Sequence, residues 1–379
     1  MQDNKKTIVE IAALNPKKIG SFEELMIDLS LELKRMGIEP VVVFNEEVPL
    51  NLKSRYAGIE LARLSREKGA FQFYCQLFKL IRKHKPDIVD FHFYPFFSMM
   101  TIFVSLCGVR NIIFTDRCSG EIEEKKGIKK ILSLLRTKFM MRFIKKMIGV
   151  SNFVVERDKT IPGIDASKLV PVHNGINLAK FSCVRNDKEK FLKDMCNAGK
   201  DHFVVMSATN LIKEKGIEYL ISAADILLKE NRDMMFLIVG EGKDGDELKS
   251  KVKGLGLEDN IKFMGLRSDI DQILAVSDVF VYPSVWQEAF GFAIAEAMAC
   301  GVPVISTRVG GIPEIIQDGV TGFIIPPEDH IAIAKALREL YQDSVRVEQM
   351  GKKARERVER YFNMKTRTAK VIGIYKEFL

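Results

Sequence analysis

Short β-branched segments alternate with helical segments along the whole chain, and this alternation restricts the fold more than any other feature. Strand-like runs occur at 7–14, 40–44, 87–91, 111–115, 147–151, 203–208, 235–239, 261–265, 279–282, 303–306 and 322–325. Strands separated by helices form parallel sheets that are covered by helices on both faces. The sequence therefore predicts an α/β protein.

The alternation forms two series, separated by a polar segment at 185–201. A chain of 379 residues is too long for one compact core and suits two domains of ordinary size. We therefore predict two doubly wound, Rossmann-like domains, 1–184 and 185–363. Ligands of open α/β sheets bind beyond the carboxyl ends of the strands, so each domain is expected to form one wall of a central cleft.

One stretch, 288–307, combines a loop, a short helix and a buried strand in a way that suits a phosphate ligand. Gly291 opens the helix, and the backbone N–H groups from Ala289 to Phe292 are expected at its positive end. Such groups bind a diphosphate well. Glu288 before this point and Glu296 two turns later could hold hydroxyls on either side of it. Two sugar rings that flank a diphosphate describe a nucleotide sugar.

A pair of glutamates eight residues apart is by itself usually a solvated pair. Here the residues from 290 to 298 are apolar or small apart from Glu296, so that carboxylate lies on a helix whose surface is expected to be buried. A glutamate in such a setting is rarely unpaired. The pattern therefore favours a ligand-binding role for the pair.

The stretch resembles the signature of the retaining glycosyltransferases of family 4 (glycosyl transferases group 1), which is E-x7-E followed by A-x-x-x-G-x-P-V-I. The resemblance continues through G-G-I-P-E at 310–314, D-G-V-T-G-F at 318–323 and N-L-I-K-E-K-G at 210–216. It is dense in the second half and thinner in the first. It implies the GT-B fold, in which the final helix, here 364–379, packs back across the first domain.

The resemblance also implies roles for residues of the second domain. Glu288 would hold hydroxyls of the donor sugar, and Glu296 those of the ribose. Lys215 would stabilise the negative charge that develops on the leaving diphosphate. The complete donor-binding set expected in this way is Gly20, Asn210, Lys215, Leu266, Arg267, Glu288, Ala289, Phe290, Gly291, Phe292 and Glu296.

Asn210 occupies a position at which the family carries an arginine, so one positive charge is missing from the leaving-group site. Three explanations remain open. Arg267, Lys213 or another cation replaces it, the leaving group lies elsewhere, or the activity is low.

The acceptor side is expected in the first domain, where strands end. Gly20-Ser21 replaces the Gly-Gly that often opens the first loop of the family, which leaves one glycine able to approach phosphates closely. His92 ends a strand, although a lone histidine is equally often a satisfied polar group. Asp116 and Arg117 end the next strand, where many relatives place a histidine. Asp116 is therefore the candidate catalytic substitute, beside Glu288 and Lys215.

No metal is required by this scheme, and none is expected. Two D-x-D triplets, 244–246 and 269–271, fall where a turn leads into a helix, and acids there cap helices and interact with the helix dipole. The six cysteines are scattered without a C-x-x-C pair, which argues against a zinc site. We expect no cofactor, and a UDP- or GDP-sugar as donor substrate.

The positive charge is concentrated in one segment, 125–147, which holds nine of the 58 basic residues and none of the 50 acidic ones. Apolar residues between them cluster on one helical face: Ile128, Ile131, Leu132, Leu135, Phe139 and Phe143. A basic amphipathic helix suits an anionic membrane surface. The alternative is a domain helix whose apolar side faces the core. Nucleic acid is a weaker option, because no binding motif accompanies the charge.

The segment 91–109 lacks charged residues over a length that could span a bilayer. It contains His92 and Pro95 early and Gly108 late, so we expect a strand end, a loop and a buried helix instead. The N-terminus runs directly into a strand and is too short for a secretion signal. These features predict a cytoplasmic protein, peripheral at the inner face of the membrane if the basic helix binds there.

The sequence thus favours a retaining glycosyltransferase that moves a sugar to a hydroxyl of a polysaccharide or lipid-linked glycan intermediate. A sugar-nucleotide 2-epimerase or a sugar phosphorylase would use the same two-domain fold. The E-x7-E signature argues against the epimerase, and the length of the chain argues against the phosphorylase. A non-catalytic subunit that binds nucleotide sugars remains open because of Asn210 and the missing histidine.

Overall fold

The computed structural model describes residues 5–17, 19–67, 69–95, 98–122, 126–182, 188–196, 199 and 201–379. The chain divides into two compact units. Unit 1 comprises Met1–Gly175 with Met364–Leu379, and unit 2 comprises Ile176–Asn363. The final helix thus belongs to unit 1.

Unit 1 is built on a seven-stranded sheet with helices on both faces. Its strands are β1 Thr7–Ala12, β2 Glu39–Phe44, β3 Glu60–Arg63, β4 Ile88–His92, β5 Asn111–Asp116, β6 Ile144–Gly149 and β7 Leu169–Pro171. Its helices are α1 Ser21–Arg35, α2 Leu50–Lys53, α3 Gly69–His84, α4 Met99–Leu106, α5 Gly127–Met140, α6 Asn152–Lys159 and, at the end of the chain, α15 Met364–Lys376.

The order of the strands decides which helix covers which face of the sheet in unit 1. The order is β3-β2-β1-β4-β5-β6-β7, and neighbouring strands are parallel. Right-handed crossovers place α1 on one face and α3, α4 and α5 on the other, because the chain runs from β1 in opposite directions. In agreement, Leu33 of α1 packs with Ile8 and Tyr375 of α15, whereas Phe73 of α3 packs with Val9.

Unit 2 has a second parallel sheet of six strands in the order β10-β9-β8-β11-β12-β13. The strands are β8 Phe203–Ala208, β9 Met234–Val239, β10 Ile261–Gly265, β11 Val279–Tyr282, β12 Val304–Thr307 and β13 Gly322–Ile325. The helices are α7 Lys188–Cys196, α8 Ile217–Glu230, α9 Gly245–Gly254, α10 Ile270–Ala275, α11 Phe292–Ala299, α12 Ile312–Ile315, α13 His330–Gln342 and α14 Ser344–Tyr361.

The boundary between the units differs from the predicted one at 184/185. It lies at 175/176, because the segment after Gly175 is bound to helix α14 and the residues that follow it. Ile176 donates its N–H to the carbonyl of Phe362, and Arg355 donates to the carbonyl of Phe181. Most of the predicted polar break at 185–201 forms helix α7, and 185–187, 197, 198 and 200 lie outside the described ranges.

Two strands of unit 1 escaped the sequence analysis because they lie at sheet edges. β3 is short and partly exposed, and β7 contains a proline, so neither shows a buried β-branched run. The expected buried helix within 91–109 is α4, but only half of its surface is covered: Met99 and Leu106 are 61% and 79% exposed. Among the described residues, no helix combines the length and the apolar character that crossing a bilayer requires.

Candidate active site

Lys215 and Glu288 meet at the carboxyl edge of the sheet in unit 2. The Nζ of Lys215 lies 2.5 Å from Oε1 of Glu288, and both side chains are largely buried. Ser284 donates its hydroxyl to the same oxygen at 2.8 Å, and Tyr282 does so at 3.2 Å. Three donors therefore converge on one carboxylate oxygen and fix its orientation.

The buried setting changes the acid–base properties of this cluster. Burial lowers the pKa of Lys215, but Tyr282 and Glu288 outweigh this effect and raise the pKa above its ordinary value. Burial and the charge of Glu288 raise the pKa of Tyr282 to about 12. Lys215 is therefore a permanent cation at neutral pH, and Tyr282 a neutral donor.

A tight turn before helix α8 positions Lys215. Gly216 has φ +66°, and a Cβ at this position would lie 2.0 Å from the carbonyl oxygen of Pro283. The carbonyl of Glu214 accepts bonds from the backbone N–H groups of Val285 and Trp286. Only glycine permits this close approach, which explains the K-G pair of the motif.

A second glycine turn holds the backbone of Glu288. Gly310 has φ +54°, and a Cβ there would lie 2.1 Å from the carbonyl oxygen of Glu288. That carbonyl accepts a bond of 2.7 Å from the N–H of Gly311. The G-G pair therefore fixes the loop that carries Glu288, which is a role the motif alone does not reveal.

The loop after Glu288 leads directly into helix α11. Gly291 is its N-cap, with φ +118°, and Ala289 and Phe290 are buried beneath it while Phe292 is partly exposed. Glu296 is the fifth residue of the helix, in its second turn, and is partly buried rather than buried as the sequence suggested. The helix N-terminus and both glutamates thus share the carboxyl edge of the sheet.

The remaining donor-side candidates lie on neighbouring loops of the same edge. Asn210 is exposed after β8, and Leu266 is 62% exposed after β10. Arg267 forms a two-point ion pair with Asp269, at 2.8 and 2.5 Å. Its charge is thus already neutralised, which favours the exposed Lys213 as the cation that replaces the family arginine.

The D-x-D triplets act differently from simple helix caps. Asp244 accepts the backbone N–H of Lys213 at 2.8 Å and so supports the turn that carries Lys215. Asp269 is occupied by Arg267. Neither residue caps its helix with its side chain.

Gly20 of unit 1 is the N-cap of α1, in an extended conformation open to any residue. Its N–H donates to the carboxylate of Glu23 at 2.9 Å. The approach to a phosphate that the sequence suggested therefore stays a prediction, and the visible role of this residue is to start the helix.

His92 lies in a buried polar cluster at the centre of unit 1, with Glu10 and Asp90 on the same two strands. Its Nε2 is 3.7 Å from Asp90 and 3.8 Å from Glu10, and its Nδ1 is 3.4 Å from Arg117. Burial lowers the pKa of His92 to about 3, so the ring is neutral. The side chain is fully buried, which argues against contact with an acceptor, but its Nε2 has no hydrogen-bond partner among the described residues, so the role of His92 stays a prediction.

Arg117 joins this cluster from the end of β5. It donates to Asn174 at 2.6 Å and stacks on Phe22, and burial lowers its pKa to about 9. Helix α15 completes the cluster: Tyr375 donates to Asp90 at 2.7 Å, and Arg367 is buried nearby. The two residues of α15 could not be predicted to join this cluster, because 285 positions separate Tyr375 from Asp90.

Glu10, Asp90 and His92 bring ligand atoms within 4.8 Å of one another, which is the only such group that the described residues form. Two buried arginines, Arg117 and Arg367, already balance the two carboxylates. These two positive charges compete with a divalent cation for the carboxylates, although Oε2 of Glu10 and Nε2 of His92 have no hydrogen-bond partner in the part of the chain that the structure describes. The expectation of a metal-independent enzyme stays a prediction.

Asp116 lies at the end of β5 and is paired with Arg157 at 2.7 Å. Its other oxygen accepts the N–H of Cys118 at 2.8 Å. Arg157 also contacts Asp158 at 2.9 Å and the carbonyls of Cys118 and Gly120. Asp116 thus anchors a loop, and its role as a catalytic substitute stays a prediction.

The buried cluster predicts how the stability of the protein depends on pH. Burial raises the pKa of Glu10 to about 7, against the pull of Arg367 and Tyr375. The folded protein then holds a proton that the unfolded chain releases near pH 4.5, so stability should fall as pH rises through this window and stay low above about pH 7. Gln cannot ionise, so Glu10→Gln should flatten this slope.

Urea unfolding midpoints at about pH 5.5 and about pH 8.5 test this expectation. The difference between the two midpoints should be smaller in Glu10→Gln than in the wild type. The lowered pKa of His92 affects stability only below the ordinary histidine pKa of 6.5, and this effect is shared by both proteins. An equal difference in both proteins would contradict an ionisable Glu10 in this window.

Comparisons with known proteins agree with this architecture. Residues 188–357 match the family described as Glycosyl transferases group 1, and residues 23–180 match Glycosyltransferase Family 4. The chain is 30% identical over 310 residues to the UDP-Gal:alpha-D-GlcNAc-diphosphoundecaprenol alpha-1,3-galactosyltransferase of Escherichia coli, which covers 79% of this chain and 77% of that protein. It is 31% identical over 234 residues to the N-acetyl-alpha-D-glucosaminyl L-malate synthase of Bacillus anthracis, of which the match covers 60%.

Solved structures resemble the whole chain. A glycosyltransferase from Rickettsia africae superposes with a TM-score of 0.84 at 24% identity and covers 99% of each chain. Anabaena HepE, in complex with UDP and glucose, superposes with a TM-score of 0.82 at 19% identity. The match covers 98% of this chain and 99% of HepE. Two Rossmann-like parallel sheets with this likeness define a glycosyltransferase of the GT-B type. The chain belongs to the family 4 glycosyltransferases, the glycosyl transferases group 1, and it is an enzyme.

Proposed function

We propose that this enzyme transfers a sugar, with retention of configuration, from a nucleoside diphosphate sugar to a hydroxyl of a lipid-linked glycan intermediate. The observation that carries the proposal is the buried ion pair of Lys215 and Glu288 beside the N-terminus of α11. A cation and the backbone N–H groups at a helix N-terminus stabilise a leaving diphosphate, and an oriented carboxylate binds sugar hydroxyls. A polysaccharide hydroxyl is the second acceptor class.

The donor is proposed to be a UDP-sugar, with a GDP-sugar as the alternative. The Escherichia coli relative is named for UDP-Gal as donor and for an acceptor on diphosphoundecaprenol. Anabaena HepE was crystallised with UDP and with UDP-glucose. In this scheme a hydroxyl of the donor sugar binds the second oxygen of Glu288, because three donors already occupy the first.

The proposed reaction proceeds on one face of the sugar. The bond from the anomeric carbon to the diphosphate breaks, the acceptor oxygen bonds to the same face, and the acceptor proton passes to the departing phosphate oxygen. This course requires no strong protein base. It is compatible with a buried His92 and with an Asp116 that is held by Arg157.

Release of nucleoside diphosphate tests the proposal. The purified enzyme is incubated with UDP-glucose, UDP-galactose, UDP-N-acetylglucosamine or a GDP-sugar, with and without a sugar-diphosphate isoprenoid acceptor and with and without EDTA. We expect acceptor-dependent release of UDP that EDTA does not diminish. Epimerised donor without transfer would establish the epimerase instead. Binding of donor without release would establish a non-catalytic subunit.

Glu296→Gln is expected to weaken donor binding without unfolding the protein. The change removes the charge from a carboxylate that is proposed to hold the ribose hydroxyls, and a hydrogen bond to a charged group contributes about 1.5 kcal/mol, which corresponds to roughly tenfold in affinity. Calorimetric titration with the active donor measures this loss. An affinity equal to that of the wild type would show that Glu296 does not contact the nucleotide.

The proposal includes an anionic membrane surface as a partner of α5. This helix packs on unit 1 through Ser133, Thr137 and Met140, so two of its three buried residues are small and polar. Its large apolar residues are about half or more exposed: Ile128, Ile131, Leu132, Leu135 and Phe139. This exposure supports the membrane interpretation over a domain helix with an apolar core side, for the described part of the segment, which excludes Lys125. An exposed apolar stripe flanked by lysines fits a peripheral membrane contact.

A further inference from the structure

An apolar groove runs between α3 and α4 on unit 1. It encloses about 720 Å³, and its walls are almost entirely apolar. The side chains that form it include Phe71, Tyr74 and Phe78 of α3 and Met99, Phe103 and Leu106 of α4. A volume of this order is typical of pockets that hold a small-molecule ligand.

The groove is open to solvent at its rim. Phe71 is 82% exposed and Leu106 is 79% exposed, whereas the inner sides of both helices are packed on the sheet through Phe73 and Val104. A contiguous apolar surface of this kind marks a binding site when it carries its own shape and rim. The helices are therefore held rigidly by one side and offer apolar surface on the other.

Charge distinguishes this layer of helices from the opposite one. α3, α4 and α5 contain no Asp or Glu, but three Lys or Arg residues in α3 and four in α5. On the other face, α1 alone contains four acidic residues. Lys79 is among the residues that line the groove. The groove is thus an apolar channel with a positive border, which complements an amphiphile with an anionic head.

One end of the groove lies where the strands of unit 1 end. Both helices begin at the carboxyl edge of the sheet, since α3 precedes β4 and α4 follows it. Arg66, just before α3, stacks on Phe73 at 4.8 Å and on Tyr94 at 5.9 Å. Among the described residues, its guanidinium forms no ion pair. An exposed arginine at the end of an apolar channel suits a phosphate on a lipid chain.

The groove and the exposed stripe of α5 belong to the same face of unit 1. Right-handed crossovers place α3, α4 and α5 side by side in that order. Met141, directly after α5, shares a hydrophobic core with Leu77 of α3 and Met100 of α4. A lipid chain that leaves a membrane next to α5 would therefore reach the groove along one continuous surface of unit 1.

We infer that the groove binds the isoprenoid chain of the lipid-linked acceptor and that Arg66 meets its phosphate. This inference rests on the proposed function, since it assigns a site to the lipid part of that acceptor. The groove holds the lipid end of the acceptor against unit 1, so that the sugar at the other end of the diphosphate lies at the carboxyl edge of the sheet. The first turns of α3 and the whole length of α4 offer aromatic or large aliphatic side chains to the hydrocarbon, and Lys79 lies further along the groove from Arg66.

Calorimetric titration with farnesyl phosphate, below its micelle concentration and without vesicles, tests the inference. The wild type should bind this probe, and the double variant Met99→Gln/Leu106→Gln should bind it at least tenfold more weakly. Both positions are more than half exposed, so the variant should fold. The matched control is Ile128→Gln/Leu132→Gln, which removes similar exposed apolar surface from α5 and should leave the affinity unchanged.

Several outcomes would overturn the inference. The wild type could fail to bind farnesyl phosphate, or the groove variant could bind it with the affinity of the wild type. The α5 control could lose as much affinity as the groove variant. Inorganic phosphate could also give the same heat of binding as farnesyl phosphate, with the same dependence on the groove. Sedimentation of a wild-type dimer that the groove variant abolishes, without lipid binding, would assign the groove to a second copy of the chain instead.

Donor titration of the same samples separates this inference from the proposed function. The groove variant should bind the nucleotide sugar as the wild type does, because the donor site lies in unit 2. Binding of farnesyl phosphate without any nucleotide-sugar binding would support the lipid site and contradict the proposed transferase function. Nucleotide-sugar binding without binding of farnesyl phosphate would contradict the lipid site alone.

Discussion

Replacement of Lys215 by alanine is expected to lower kcat by about a hundredfold or more, with a smaller effect on the KM of the donor. Negative charge accumulates on the diphosphate as the sugar departs, so a buried cation contributes most in the transition state. Lys215 is positioned for this role by the turn at Gly216 and by its contact with Glu288. Steady-state kinetics with the active donor and acceptor measure both parameters.

Two variants make this result specific. Lys229→Ala removes an exposed lysine near the end of α8, remote from this turn, and should leave kcat unchanged. Because Lys215→Ala leaves Glu288 buried without its cation, folding is checked by circular dichroism, and Lys215→Gln provides a variant that keeps a donor. A folded Lys215 variant with unchanged kcat would exclude the lysine from the reaction.

Asn210→Arg extends the same test to the missing arginine of the family. Asn210 is exposed at the carboxyl edge, so a longer side chain has room there. Activity should be retained or raised if the leaving group lies as in the family. A folded variant that binds donor but has lost all activity would show that the leaving group is bound in a different arrangement.

The triple variant Lys126→Gln/Lys129→Gln/Lys130→Gln is expected to release the enzyme from anionic vesicles. A basic residue near an anionic surface contributes about 1 kcal/mol, so three of them change partitioning by roughly a hundredfold at most. All three side chains are exposed beside the apolar stripe of α5. The attraction should also weaken as salt rises, because the Debye length shrinks. Sedimentation with phosphatidylserine-containing vesicles measures the bound fraction.

The matched control is Lys229→Gln/Lys249→Gln/Lys253→Gln in unit 2, which makes the same change in net charge on exposed positions. This control should bind vesicles like the wild type, and both triple variants should hydrolyse soluble donor at the wild-type rate. Equal sedimentation of the wild type with neutral and anionic vesicles, or with neither, would return α5 to a purely structural role.

Local sequence predicted the fold of unit 2 closely, because its central strands are buried on both faces. The predicted strands at 203–208 and 279–282 coincide with the central strands β8 and β11. Such strands are continuous apolar runs that end at glycine or polar residues. The edge strands β10 and β13 were also predicted, at 261–265 and 322–325, whereas the short, partly exposed edge strand β3 of unit 1 lacks the signal.

The candidate donor residues could be read from the sequence because short motifs carry them, but their partners could not. Ser284 and Tyr282 come from the end of β11, and nothing in their spacing indicates that both bind the carboxylate of Glu288. In the same way, Arg157 next to Asp116 depends on the packing of α6 beside β5. Side-chain partners are decided by the angle between elements, which a linear pattern does not contain.

The sequence by itself determined the class of fold, the family and the positions of Lys215, Glu288 and Glu296, because strand periodicity and glycine turns are local properties. Only the tertiary structure decided where the side chains point. It buried His92 in an ionic cluster closed by α15, and it turned the apolar stripe of α5 outwards. The physical reason is that a periodic pattern defines the two sides of an element, whereas packing against the rest of the fold selects the side that is buried.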